Sequence, residues 1–260
     1  MLDGTLENPL ALILLVVTAI IAGPFALWSL LRKGDDPRWL AALGMALLLL
    51  IPTVLLPLHV LNVATGESML WLFGREAADT GVVEFATFSL FACAAGLGLW
   101  LARAHNGFER FAYLITAAVA GAIAGEEVSW GQWIFHWASP TYFADSNLQG
   151  ETNAHNFLGP GFIESGYAIA GAAILVLGLA LRFSRRTMVW LPSQVRPLRE
   201  SRVCLSLALC AAVLMQHPFL QELSELVLAA AAAYAMAWLA IDAARRAQPR
   251  GHPAPSAQAA

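Results

Sequence analysis

VCLSLALCAAVLMQHPFLQELSELVLAAAAAYAMAWLAI, residues 203–241, decides how this chain is organised. A helix rises about 1.5 Å per residue and the apolar core of a bilayer is about 30 Å thick, so one crossing takes about 20 largely apolar residues. The quoted run is nearly twice that long, and Gln216-His217-Pro218 interrupts it. The residue before a proline is pushed out of the helical region. The run therefore predicts two spans, 203–217 and 221–242, joined by a tight turn.

Five more apolar stretches lie outward from it: 9–31 with Pro24 inside, 39–63 with Pro52, Pro57 and His59, then 81–102, 111–137 and 162–183. With 58% hydrophobic and 13% charged residues, the 260-residue chain is not composed like a soluble domain. The expected fold is all-α, a polytopic transmembrane bundle of seven spans forming a single domain over residues 1–244. A disordered cytoplasmic tail rich in Pro, Ala and Gln is expected over 245–260. Asp3 and Glu7 precede the first run in place of basic residues, and no small-residue cleavage site follows it, so it reads as a retained anchor. Met69 to Phe73 is too short to cross and is expected to lie in the interface. Cys93, Cys204 and Cys210 fall in apolar runs with no C-x-x-C spacing and read as small core residues.

Charge orients the bundle. With seven spans, every one of the 15 Lys and Arg residues except Arg75 falls on one side, which places the N-terminus outside and the C-terminus in the cytoplasm. Of the 18 Asp and Glu residues, only Asp35, Asp36, Glu109, Glu200 and Asp242 fall on the basic side. No feature points to nucleic acid. Membrane lipids are the expected surroundings, and protein partners are not legible.

The segment richest in chemistry is GEEVSWGQWIF, residues 125–135, continued by NLQGETNAHN, residues 147–156. Glu126 lies about 23 Å along a span that begins near Phe111, still beneath the outer interface. A carboxylate at the centre of a span costs about 3 kcal/mol, less towards the edge, so such groups face a polar cavity or a partner. Glu126 and Glu127 point about 100° apart and need not serve one site. Trp130, Trp133 and Trp137 follow at helical spacing and read as an interfacial aromatic belt. In the next block Asn147, Gln149, Glu151, Asn153 and His155 alternate with other residues. If extended, the block lines up five polar groups on one side; if helical, it puts Glu151 and His155 at i and i+4 on one face, as a metal chelate needs.

Glu84, Glu164, His217, Glu222 and Glu225 are expected at the same depth, His217 because 203–217 covers only about 22 Å as helix. The four carboxylates also fit a plainer role, as helix N-terminal groups stabilised by the dipole. His59 reads as a packing histidine and His136 as interfacial. The candidate set is Glu126, Glu127 and His217 as catalytic acid/base groups and Glu151 and His155 as metal ligands. A divalent metal such as zinc is the candidate cofactor.

At these two blocks the chain resembles a family of uncharacterised bacterial multi-pass membrane proteins that share G-E-E-[IV]-S-W-G-Q and N-x-Q-x-E-x-N-x-H-N, preceded by a span with an early Glu, here Glu84 behind Arg75-Glu76 and Asp79. The resemblance covers about residues 75–157. It departs at Trp133, where the family carries a basic residue. It implies a multi-pass protein of the bacterial inner membrane and brings no activity with it. The residues themselves suggest a metal-dependent hydrolase or transferase acting at the outer face on a lipid or lipid-linked substrate. An assembly or partner-binding protein, whose polar cluster only ties helices together, is the first alternative. A transporter or proton-coupled carrier is the second, weakened by the absence of an inverted repeat.

Overall fold

The computed structural model describes residues 9–31, 36–66, 69–73, 81–183 and 193–247. Arg32, Lys33, Arg75, Glu76, Asp79 and the tail from residue 248 lie outside the described residues. Seven apolar helices carry the fold: α1 (Pro9–Leu31), α2 (Arg38–Ala64), α3 (Val82–Ala104), α4 (Gly107–Glu127), α5 (Pro160–Phe183), α6 (Arg202–Leu214) and α7 (Gln221–Ala247). No strand occurs among the described residues. Five helices are long and apolar enough to cross a membrane: α2, α3, α4, α5, and α7 together with the turn that leads into it. That is the pattern of a multi-pass membrane protein. α6 has only 13 residues, about 20 Å of helix.

Most boundaries fall within a few residues of the expected spans. The fourth does not. α4 stops at Glu127 instead of continuing to Trp137, because Ser129, Trp130 and Gly131 all take left-handed backbone angles, with φ of 46°, 53° and 89°. Three such residues in a row turn the chain back on itself, at a strain cost for the two that are not glycine. Trp130 folds over the end of α4, where a Cβ on Gly125 would lie 2.9 Å from its ring. The expected helical stripe of Trp130, Trp133 and Trp137 is therefore broken into pieces, with Trp133 in a separate short helix, Gln132–Phe135. The C-terminal boundary also moves: α7 continues to Ala247, so residues 245–247 are helical and not tail.

α6 is the centre of the bundle, buried along nearly its whole length. α1, α2, α5 and α7 pack around it, α3 packs on α7, and α4 packs on α3. Small residues allow these approaches. At Gly44 a Cβ would come within 2.2 Å of Val203 and 2.9 Å of Tyr234, and at Gly171 within 2.8 Å of the Ala212 carbonyl. In α2 the backbone widens into a π-helical turn, Ile51–Leu55, around Pro52, where a proline nitrogen cannot supply the usual bond. α4 and α5 stand at opposite ends of this chain of main contacts, and the segment 128–159 bridges them.

The two ends of the bundle differ. At one end Asp36 accepts from the Tyr234 hydroxyl at 3.0 Å and from the Arg202 backbone N–H at 3.3 Å. Beside it, Arg196 pairs with Asp242 at 3.0 Å and Glu200 at 2.9 Å, while Ser193 donates to Glu109 at 2.6 Å. Burial opposes the Arg196 charge, but hydrogen bonds and attraction from Glu200 and Asp242 outweigh it and raise its pKa. Every arginine among the described residues sits on a helix terminus at this end: Arg38, Arg103, Arg110, Arg182, Arg196, Arg199, Arg202, Arg245 and Arg246. The other end carries the polar site.

Candidate functional site

The two sequence blocks bind each other. Glu126, on the last turn of α4, collects four donors. Trp130 Nε1 reaches its Oε1 at 2.6 Å, and the backbone N–H groups of Ala154 and His155 reach Oε2 at 2.7 and 3.0 Å. His155 Nδ1 donates to the same oxygen at 3.2 Å. Ser129 donates to Glu151 Oε2 at 2.5 Å, and Asn153 Nδ2 donates to that oxygen at 3.2 Å. Asn147 Nδ2 donates to the Asn153 carbonyl at 2.9 Å, and Gln132 Oε1 accepts from the Thr152 N–H at 2.9 Å. Asn156 Nδ2 donates to Gln149 at 2.5 Å. Ser129, Glu151 and Asn153 are fully enclosed, which for polar groups requires such pairing. Glu151 Oε1 is the exception, buried without a hydrogen-bond partner.

This cap is a hydrogen-bonded turn, neither the extended strip nor the helix that the alternating pattern allows. Glu151 and His155 are consequently not brought together as a chelating pair: Glu151 belongs to Ser129 and Asn153, and His155 belongs to Glu126. Among the described residues no group of three or more His, Cys, Asp or Glu side chains is arranged to hold a metal ion.

Beneath the cap lies a cavity of about 800 Å³ between α4 and α5, floored by α7 and by Phe91 of α3. Its polar lining holds Glu126, Glu127 and His155 from the expected set, joined by Glu164, Glu222 and Glu225. Tyr167 of α5 donates to Glu225 of α7, and Gln221 Nε2 donates to the same carboxyl oxygen at 3.3 Å. His155 lies within electrostatic reach of Glu225, and Glu127 within that of Tyr167. Residues far apart in the chain thus meet in one pocket. Two expected members are not on its wall. Glu151 is buried within the cap, and His217 is buried in the turn between α6 and α7, where its Nδ1 accepts from the Phe219 N–H at 3.2 Å. His217 remains within electrostatic reach of Glu164. Glu84 is buried on the first turn of α3, outside the cavity lining.

His59 behaves as a packing histidine. Its Nε2 donates to the Phe219 carbonyl at 2.7 Å, and its ring contacts Phe73 and Phe219. Tyr167 and Gln221 belong to the site without being candidates from the sequence, and Asn156, which closes the second block, joins them. Tyr167 carries a readable signal, since it stands three residues after Glu164 and so on the same face of the same helix.

The chemistry available here is proton transfer. A carboxylate holding Nδ1–H leaves Nε2 as the basic nitrogen of the imidazole, the arrangement that positions a histidine general base. His155 is also on the cavity wall. Comparisons with family models, with curated proteins and with solved structures found no match to this chain.

Proposed function

We propose that this chain is a seven-span protein of the bacterial inner membrane that carries out acid/base hydrolysis or group transfer on a lipid or lipid-linked substrate near the outer face. The observation that carries this reading is the His155–Glu126 pair, 3.2 Å apart on the wall of a cavity set into the end of the bundle. In it His155 Nε2 takes the proton of an attacking water or hydroxyl and returns it to the leaving group, while Glu126 fixes the ring and balances its charge. Glu126 is then a positioning residue, Glu127 a wall of the substrate site, and Glu151 and His217 structural. No step needs a metal, and the ligand pair Glu151 and His155 is not carried forward.

The seven-span topology, N-terminus outside and C-terminus inside, is supported by the grouping of the described arginines at one end and the acidic cavity at the other. Transport is less well supported. Among the described residues that line this cavity, the carboxylates and His155 lie within about two turns of the cap, and Phe91, Ala122, Ile123, Ala170 and Leu228 line its deeper part. The non-catalytic reading has one observation in its favour, that most signature residues are used to bind the cap to α4.

The test is a lipid profile of a deletion strain complemented with the wild type, with His155→Gln or with Glu126→Gln. A lipid that accumulates in the deletion should return to normal with the wild type and not with His155→Gln at equal protein level. If His155→Gln restores the profile fully, the catalytic reading fails and the assembly role replaces it.

A further inference from the structure

The cap is built inside out for a loop in water. Among the described residues of 128–159, those that are buried are polar except Val128 and Gly131: Ser129, Asn147, Glu151, Asn153 and Asn156. The large apolar side chains are on the outside. Phe135 is 71% exposed, Tyr142 68% and Leu148 67%, and Ile134, Trp137 and Leu158 are exposed as well. Single exposed apolar residues are ordinary, but a whole segment with this inversion marks a covered surface.

A hydrogen-bonded frame holds the inversion in place. The Ser139 hydroxyl bridges Gln132 Oε1 at 3.0 Å and the Gly150 carbonyl at 2.7 Å, and the Leu148 N–H donates to the Asn156 carbonyl at 3.0 Å. The exposed rings are held too, Phe135 stacked on Trp137 with centroids 5.9 Å apart and Tyr142 on Phe157 at 5.5 Å.

What covers this surface follows from three features. The cap joins two helices long and apolar enough to cross a membrane, and these carry exposed apolar side chains of their own, Val119 on α4 and Phe162 and Ile169 on α5. Residues 128–159 contain no Lys or Arg, and with Glu151 buried, Asp145 is their only exposed carboxylate. A surface poor in charge and rich in Trp, Tyr and Phe suits the boundary between headgroups and hydrocarbon, where amphipathic rings settle. Finally, Leu148 and Leu158 of the cap and Phe162 of α5 line the cavity and are exposed at the same time, so the cavity opens through this apolar surface.

We infer that the cap docks on lipid: its aromatic rim is seated among the headgroups of the outer leaflet, and the cavity mouth at Leu148, Leu158 and Phe162 opens into that leaflet and not into water. The choice of leaflet rests on the topology proposed above. The docking itself goes beyond the acid/base reading and does not depend on it.

The experiment places a nitroxide on the full chain in phosphatidylcholine liposomes at low protein density. The labelled positions are Phe135→Cys, Tyr142→Cys and Leu148→Cys, each in a Cys93→Ala, Cys210→Ala background that leaves only the buried Cys204 thiol. Collision with oxygen, which concentrates in lipid, is compared with collision with a water-soluble nickel chelate. Labels at Ile169→Cys, exposed on α5, and at Arg246→Cys, exposed at the basic end, serve as references. The oxygen-to-nickel ratio at the three cap positions should lie well above that at Arg246 and approach that at Ile169. A ratio like that at Arg246 would overturn the inference and leave the cap facing water or a protein partner that the liposomes lack. Labels shielded from both reagents would overturn it in favour of a second copy of this chain. The unsubstituted protein gives an independent reading. In the same liposomes, hydroxyl radicals should oxidise Tyr142 several-fold more slowly than in a free peptide of residues 139–150, and equal rates would overturn the inference. Lipid-facing labels with a lipid profile indifferent to His155 would keep it and remove the acid/base role.

Discussion

Single residues in this protein matter most where the cap closes on α4. Glu151 is the clearest case, since its Oε2 serves both Ser129 and Asn153 while its Oε1 has no hydrogen bond. Removing the side chain strands the buried Ser129 hydroxyl and takes one bond from Asn153 Nδ2, which keeps Ser129 Oγ at 3.1 Å, at a cost of about 1–3 kcal/mol for an unsatisfied group. Glu151→Ala should therefore lower the melting temperature in detergent clearly. Glu151→Gln should lose far less, because the amide keeps one accepting oxygen and puts its NH2 where an oxygen already lacks a partner. Equal losses in the two variants would show that the hydrogen bonds are not what Glu151 contributes. The sequence marked these residues as special through their polarity and spacing. Which of them faces the cavity and which is buried in the cap depends on partners about 20 residues away, such as Ser129 for Glu151, and spacing alone does not encode those pairings.

At the scale of elements, the helices were legible and the break in α4 was not. Apolar length fixes a span to within a few residues, because lipid demands about 20 residues and saturated backbone bonds. The end of α4 escaped this logic: Trp130, Ile134 and Trp137 keep an apolar periodicity running past Glu127, and left-handed backbone at Ser129 and Trp130 has no compositional sign. Two glycines hint at it: Gly131, which takes a left-handed φ of 89°, and Gly125, since only a residue without a Cβ leaves room for the folded-back Trp130 ring. Gly125→Ala should displace that ring and weaken its 2.6 Å bond to Glu126, with a stability loss of about 1–3 kcal/mol as for other overpacked sites. If the clash is the cause, adding Trp130→Ala to Gly125→Ala should cost less than the sum of the two single changes, which a thermal-melt cycle measures. Additive losses would place the effect elsewhere.

For the whole molecule, burial and charge agree on one arrangement. Helices that face lipid keep much of their surface exposed, whereas the stretch from Val203 to Leu239 is mostly enclosed, and every described arginine is gathered at one end. Reporter fusions test the orientation. A fluorescent protein that matures only in the cytoplasm should be bright after residue 247 and dark in the 139–150 segment, and alkaline phosphatase should show the opposite pattern. Bright fluorescence from both positions would remove the proposed topology. Sequence charge suggests an orientation to test, whereas the meeting of α4, α5 and α7 around a cavity has no sign in the sequence, because which helices are neighbours is decided by packing among similar apolar surfaces, such as those at Gly44 and Gly171.

The shortness of α6 has a consequence for how the protein is made. A stretch of 13 residues walled in on all sides by its own neighbours is a poor candidate for stable residence in lipid while the ribosome is still working. It would have to enter together with the long helix that follows, as one hairpin pivoting on Pro218. A nascent chain stalled at that proline would leave the innermost piece of the finished bundle with nowhere to settle, so assembly of the centre must wait for α7.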